Sequence, residues 1–211
     1  MYNYFVADEP QIPAWRLTPP RDVDAINILE KAYFDSGYNI GAMLEALFTA
    51  DFFKAEDVRY AKVKSPAEVV AGTLRLAGDH REVKPGLFEI SQEPKYMGMD
   101  LMNPPTVEGW HTGFEWIDSG TLSERIGFVE KQFSDPEKPG VADIIDRLGT
   151  LDDEPKLIVD RCLDVLGAIV VRDETYDSLI RYAENLKGIG DDAGVHHLVQ
   201  MVTSTVDYQF E

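Results

Sequence analysis

Residues 65–78 read SPAEVVAGTLRLAG and carry signals for both ends of a helix. Ser65 and Glu68 have the spacing of a capping box, in which each side chain accepts a hydrogen bond from the backbone N–H of the other residue. Pro66 suits the first helical position, because the N–H that proline lacks would have no partner there. Gly78 is the kind of residue at which helices commonly end. The stretch therefore predicts a capped helix that carries Val69–Leu76.

Helical patterns continue on both sides of this stretch. Apolar residues at helical spacing, several preceded by capping or acidic residues, predict helices over 23–33, 40–48, 122–133, 141–148, 157–166, 176–186 and 192–205. We expect Thr121 and Glu124 to form a second capping box, with Thr121 as the N-cap of the helix that begins at 122. A short strand at 169–171 is conceivable, but no long alternating pattern indicates a sheet. The predicted fold class is all-α, a multi-helix globular bundle.

Two segments interrupt the helical pattern. Residues 1–20 hold four prolines around Trp15, which predicts an extended Pro-rich arm that lies on the core. Residues 134–140 are rich in turn-forming residues, so we interpret them as a flexible loop or a boundary. With 211 residues, of which 44% are hydrophobic, the chain is long enough to bury one sizeable core. We predict a single helical domain over 1–211.

The charge of the chain excludes several partners. The formal net charge is −18, with 38 acidic and 20 basic residues, which repels phosphate backbones and anionic lipid surfaces. We expect no nucleic-acid partner. No apolar run approaches the roughly 20 residues of a membrane span, and the first residues do not resemble a secretory signal, so we expect a soluble chain without membrane insertion.

The sequence contains few of the signals that identify enzymes. Cys162 is the only cysteine, which excludes an intrachain disulfide and a cysteine-rich zinc site and favours a buried thiol. His196 and His197 are adjacent on a predicted helix and so diverge by about 100°, which argues against a shared metal. Common phosphate-binding, metalloprotease and nucleophile-elbow motifs are missing. We expect no cofactor and no metal, and the sequence assigns no catalytic residue.

The segment 97–117 differs from ordinary core sequence. It reads MGMDLMNPPTVEGWHTGFEWI, so two prolines, three glycines and two tryptophans describe a long loop with a fixed path. In the favoured interpretation Trp110 and Trp116 fill the core. In the other they line a pocket, where His111 and Glu115 act as acid and base or as ligands.

Basic residues collect upstream of this loop. Their cluster comprises Arg59, Lys62, Lys64, Arg75, His80, Arg81 and Lys84. If the fold brings them together, they form either an anion site or an internal salt-bridge patch. The salt-bridge patch is the favoured interpretation, because an acidic protein needs cations to pair with its own carboxylates. The candidate ligand-binding residues from both segments are Trp110, His111, Glu115, Trp116, Asp100 and Arg75.

Several of these motifs resemble a bacterial family, the domain of unknown function 1800. The resemblance rests on Lys62–Glu68, Leu74–Gly78, Met97–Met99, Pro104–Trp110 and Trp116–Ile117. It extends from about Tyr4 to Tyr208–Phe210. Family members are usually longer, so the resemblance implies that this chain is a C-terminal portion. Many relatives have Pro or Gly where this chain has His111, so the resemblance lends no support to a catalytic His111. The resemblance also implies export in many members but no established activity.

Two functions remain open at this point. The leading hypothesis is a helical binding or scaffold module that works with a protein partner, or with the missing N-terminal part of its own family domain, and that is associated with the cell envelope. The alternative is a hydrolase or another enzyme that acts on glycans or sulfated polymers. In that case the tryptophans stack on sugar rings, and Glu108, Glu115 or Asp100 supplies the acid or base.

Overall fold

The computed structural model describes residues 1–10, 14–149, 153–186 and 191–210, with no side-chain description for 191 and 192. These residues form ten α-helices and no sheet, which confirms the all-α prediction. The β-pairing within them is limited to isolated bridges at Val63–Phe210 and Thr106–Gly109. The chain separates into two compact units, Met1–Val63 with Phe210, and Lys64–Gln209. The prediction of a single domain stays a prediction.

The first unit is built around a pair of helices. It contains α1 (Tyr2–Phe5), α2 (Val23–Asp35), α3 (Ile40–Thr49) and two 3₁₀ turns, Asp51–Lys54 and Glu56–Val58. The Asp22 side chain caps α2 and the Asn39 side chain caps α3, because each accepts hydrogen bonds from first-turn N–H groups. The helices α2 and α3 pack against each other, as the two adjacent helical patterns predict.

The helix α1 lies in the segment for which the sequence predicts extended chain. The backbone N–H groups of Tyr4 and Phe5 both donate to the carbonyl of Met1. The first proline of the segment is Pro10, so nothing in the sequence prevents one helical turn before it. The ring of Tyr2 is buried, whereas Trp15 is half-buried and donates from Nε1 to the carbonyl of Pro10 at 2.7 Å.

The second unit holds most of the buried apolar side chains. Its helices are α4 (Pro66–Ala77), α5 (Leu87–Tyr96), α6 (Ser119–Phe133), α7 (Pro139–Leu148), α8 (Pro155–Val165), α9 (Asp173–Leu186) and α10 (Asp191–Thr203). The helix α10 packs against α6, α7, α8 and α9. Its Val195, Leu198 and Val199 have no exposed surface, so α10 is the centre of this unit.

The predicted start of α4 is confirmed, and that of α6 is corrected. Both hydrogen bonds of the Ser65–Glu68 capping box are present, and Gly78 ends α4 in a left-handed conformation. The helix α6 begins at Ser119 rather than 122. Asp118 is its N-cap, and Thr121 takes the third helical position, where its N–H donates to the Asp118 carboxylate at 2.9 Å. A carboxylate is a strong acceptor for N-terminal N–H groups, so Asp118 becomes the cap.

Two further features differ from the sequence interpretation. The helix α5 was not predicted, and residues 169–171 form no strand. The loop predicted over 134–140 is shorter in the structure, because α7 already begins at Pro139. The first turn of α7 approaches the end of α4 so closely that a Cβ on Gly140 would lie 1.9 Å from the carbonyl oxygen of Leu76. Only glycine fits at that contact.

Candidate functional site

The 97–117 loop connects α5 to α6 and is anchored at its start. Met97 is fully buried, and the N–H groups of Gly98 and Met99 donate to carbonyls in the last turn of α5. Gly98 has a φ of +97°, which favours glycine, and a Cβ there would lie 3.9 Å from the ring of Trp116. The two ends of the loop therefore meet at Gly98 and Trp116.

Trp116 belongs to the interior. Its side chain is only 4% exposed, at the end of a 3₁₀ turn over Gly113–Trp116. The hydroxyl of Thr121 donates to the Trp116 carbonyl at 2.9 Å, which ties the turn to the first turn of α6. An indole buried to this extent offers no face on which a sugar ring could stack, so Trp116 has the position expected of a core residue.

Trp110 and Asp100 hold the middle of the loop together. The indole of Trp110 is half-buried, and its Nε1 donates to the Asp100 carbonyl at 3.1 Å. The Asp100 carboxylate accepts from Asn103 at 3.2 Å and forms an ion pair with Lys95 at 3.0 Å. Hydrogen bonds from Asn103 and then Lys95 hold the pKa of Asp100 below its usual range, so this carboxylate is ionised at neutral pH.

His111 and Glu115 are the titratable pair of the loop. His111 Nδ1 lies 3.3 Å from Glu115 Oε2, and both side chains are about half exposed. The same carboxylate oxygen accepts from the Thr112 N–H at 3.4 Å, as part of the turn that leads to Trp116. The predicted proximity of the imidazole and the carboxylate is therefore present, but it occurs on the surface.

The remaining candidates do not converge on this pair. Arg75 is exposed in the last turn of α4, and no hydrogen bond or ion pair among the described residues joins it to the loop. Glu108 is exposed in a tight turn, where its N–H donates to the Thr106 hydroxyl at 3.2 Å. Within the described part of the chain, no group of three or more His, Cys, Asp or Glu residues could hold a metal ion.

The apolar side chains at the tips of the loop were missed by the sequence interpretation. Val107 is fully exposed in the turn closed by Thr106 and Gly109, and Met102 is 92% exposed. Phe114 is also largely exposed. The sequence did contain a signal for Val107. It is an apolar residue between two polar turn residues in a stretch with Pro and Gly, which is typical of an exposed side chain in a loop.

The fold and this loop define the class of the protein, an all-α protein that presents a fixed surface loop with apolar tips. None of the helices described above is long and apolar enough to cross a membrane. The chain belongs to the family described as "Protein of unknown function (DUF1800)", whose model matches residues 1–210, so the resemblance seen in the sequence is confirmed. No curated protein and no solved structure matches the chain.

Proposed function

We propose that this protein is a helical binding module and that the tips of the 97–117 loop contact a protein partner. The observation that carries the proposal is that some apolar side chains of the loop are buried and others are exposed. Trp116 and Met97 are buried and fix the backbone, whereas Met102 and Val107 are almost fully exposed on it. Because the backbone beneath these side chains is already fixed, a partner that covers them does not have to order it, which lowers the entropic cost of binding.

The charge of the loop indicates the chemistry of the partner. Residues 97–117 contain the carboxylates of Asp100, Glu108 and Glu115 and no Lys or Arg. Apolar side chains on a loop that also carries carboxylates complement an apolar pocket that is rimmed by Lys or Arg. The excess of acidic residues over the whole chain favours the same kind of partner and increases its rate of encounter at low salt.

The test is site-specific photo-crosslinking in the cells that produce the protein. We would place a photoreactive amino acid at Val107, and at Leu17 as the matched control, because Leu17 is 92% exposed in the other compact unit. We expect a discrete protein adduct from Val107 that Leu17 does not give. The adduct should weaken severalfold when Met102→Asp is added and should not change with Leu17→Asp.

Two outcomes would contradict the proposal. One is an adduct pattern at Val107 that matches the pattern at Leu17. The other is a Val107 adduct that Met102→Asp leaves unchanged in a variant with the parent's melting temperature. If the adduct protein is identified, its contact surface should contain Lys or Arg beside apolar residues, and raising the salt concentration should slow its association with the purified chain.

The second candidate function is hydrolysis, and the 3.3 Å distance between His111 and Glu115 is the observation in its favour. An acid–base pair with this spacing could activate water on a glycan or a sulfated polymer. The probes are p-nitrophenyl glycosides and p-nitrophenyl sulfate. The binding module predicts no turnover above the blank, whereas a hydrolase predicts turnover that Glu115→Gln abolishes without a change in melting temperature.

A further inference from the structure

A second polar site lies in the unit Lys64–Gln209, away from the loop residues discussed above. It is a pocket of about 320 Å³ between the segment that follows α4, the start of α5, the end of α6 and the start of α7. The charged and titratable side chains that line it are Asp79, His80, Lys84, Lys131 and Lys138. Three lysines and one aspartate therefore line one pocket in a chain whose net charge is −18.

The lysine at the base of the pocket is held by the protein. The Lys138 side chain is only 14% exposed, and its Nζ donates to the carbonyl and side-chain oxygens of Gln132 at 2.8 and 3.0 Å. An ammonium group has three N–H donors, and these two hydrogen bonds leave one directed elsewhere. The Asp79 carboxylate lies 3.9 Å away, which is beyond hydrogen-bond distance.

Charges of both signs surround Lys138. Burial is the main factor that lowers its pKa. The carboxylates of Asp79 and Asp135 act in the opposite direction, and the charges of Lys84 and Lys131 make the smallest contributions, which lower the pKa further. A bound anion would favour the charged form of Lys138 in the same way as these carboxylates do.

Asp79 compensates only part of this positive charge. Its carboxylate accepts a hydrogen bond from Lys84, and His80 Nε2 lies 3.8 Å from it. The hydrogen bond from Lys84 is the main reason that the pKa of Asp79 is lowered. The other ring nitrogen of His80, Nδ1, is buried and has no hydrogen-bond partner among the described residues. His80 thus has hydrogen-bonding capacity that the described residues do not use.

The start of α5 lies at the same pocket. Gly86, which lines the pocket, is the N-cap of α5 and offers no side chain to its first turn, whose acidic residue is Glu89. The leading N–H groups of a helix attract negative charge.

We propose that this pocket binds a small tetrahedral oxyanion, a phosphate or sulfate group, between Lys84, Lys131 and Lys138. In the unliganded protein Asp79 takes part of the role of the anion, because its carboxylate lies beside Lys84 and Lys138. Of the basic residues in the predicted cluster, His80 and Lys84 line this pocket, and a carboxylate partly fills the anion site. The sequence interpretation favoured a salt-bridge patch, and the Asp79 ion pairs are its structural counterpart.

The test is titration of the full chain with inorganic phosphate by calorimetry, at an ionic strength held constant with chloride. We expect saturable binding that Lys84→Gln with Lys131→Gln weakens about tenfold, because two of the three cations are removed. The matched control is Lys31→Gln with Lys156→Gln, which makes the same change in net charge at exposed positions elsewhere and should leave the affinity unchanged.

Asp79→Asn separates an anion site from a salt-bridge patch. An anion site predicts tighter phosphate binding by about threefold or more, because the competing carboxylate is removed. A salt-bridge patch predicts lower stability and no gain in affinity. Circular dichroism melts identify any variant that fails to fold. If Asp79→Asn does not fold, the test rests on the variant Lys84→Gln with Lys131→Gln, whose substitutions are both at exposed positions.

Several results would overturn the proposal. They are the absence of saturable binding to the parent protein, an equal loss of affinity in the control variant, and a folded Asp79→Asn variant that binds no tighter. Parallel titrations with sulfate and with glycerol phosphate distinguish the sources of the oxyanion. Equal affinities indicate a free ion, whereas tighter binding of the ester indicates a phosphate carried by a larger molecule.

Discussion

The two compact units differ in how many apolar side chains they bury. In Met1–Val63 six buried apolar residues form the cluster, two of them alanines, and the aromatic rings of Phe34 and Tyr38 are exposed. In Lys64–Gln209 the cluster has 25 buried members, and Phe133 has no exposed surface. Apolar burial is the main favourable contribution to folding. We therefore expect the local stability of the first unit to be lower, although its helices α2 and α3 both have side-chain caps.

A matched pair of leucines tests this difference most directly. Leu148 in α7 and Leu47 in α3 are both fully buried, so each substitution by alanine removes the same atoms. We expect Leu148→Ala to lower the free energy of unfolding by about 4 to 5 kcal/mol, because the large cluster around it cannot collapse into the cavity. We expect about 2 to 3 kcal/mol for Leu47→Ala, whose smaller cluster can relax.

Denaturant titration measures both values, and amide hydrogen exchange shows where protection is lost. Leu47→Ala should increase exchange only within Met1–Val63, whereas Leu148→Ala should increase it throughout Lys64–Gln209. Equal losses of stability with the same exchange pattern would remove the distinction between the two units.

The two tryptophans of the loop give the next largest effect. Trp116 is 4% exposed and Trp110 is half-buried, so Trp116→Ala should cost about 3 to 4 kcal/mol and Trp110→Ala about half of that. Thermal melts of both variants supply the comparison, with Trp116→Phe as a control that retains most of the buried ring. A larger cost at Trp110 would contradict the assignment of Trp116 as the main anchor.

Asp207 makes a smaller contribution that depends on pH. Burial acts to raise its pKa, but hydrogen bonds from Arg172 at 3.0 Å and Thr175 at 2.8 Å outweigh it and leave the pKa below its usual range. Because the pKa is lower in the folded state, the stabilisation is complete above the unfolded pKa of about 4 and is lost as the pH falls through the folded pKa.

We expect Asp207→Asn to cost about 1 to 2 kcal/mol at pH 7. Unfolding curves of the parent and the variant at pH 7, 5 and 3 provide the measurement. The difference between the two proteins should persist at pH 5 and narrow at pH 3. A difference that stays constant over this range would mean that the charge of Asp207 is not responsible.

Features set by neighbouring residues could be predicted from the sequence. The Ser65–Glu68 box and the glycine that ends α4 depend on local hydrogen bonds, so their spacing was sufficient. The helix α5 could not be recognised, because Gly86 provides no capping side chain and Pro94 lies inside the helix, where proline is normally disfavoured. At α6 the spacing of Thr121 and Glu124 resembles a capping box, but Asp118, three residues earlier, is the N-cap, because its carboxylate accepts from the N–H groups of Gly120 and Thr121.

The candidate sites could likewise be predicted only where neighbouring residues determine them. The proximity of His111 and Glu115 follows from their position on one tight turn, so the sequence could predict it. The burial of Trp116 rather than Trp110 depends on packing, which composition does not encode. The lysine-lined pocket brings Lys84 together with Lys131 and Lys138, which are far from it in sequence, so it depends on the packing of α4, α5, α6 and α7.

The smallest expected effect is the loss of a helix cap, which can be tested at one helix in each unit. Ser65 Oγ accepts from the Glu68 N–H, and Asn39 Oδ1 accepts from the Gly41 N–H at 2.8 Å. A cap acts on the N–H groups of its own first turn, so its energy is independent of the size of the interior below it. We expect Ser65→Ala and Asn39→Ala each to cost about 1 kcal/mol of local stability. Hydrogen exchange of the first turns of α4 and α3 measures each effect in its own unit, and Ser65→Asp, which restores an acceptor, is the control. If the loss at Asn39 were several times the loss at Ser65, the two units would differ in local helix stability as well as in core size, and the explanation by buried apolar area alone would be wrong.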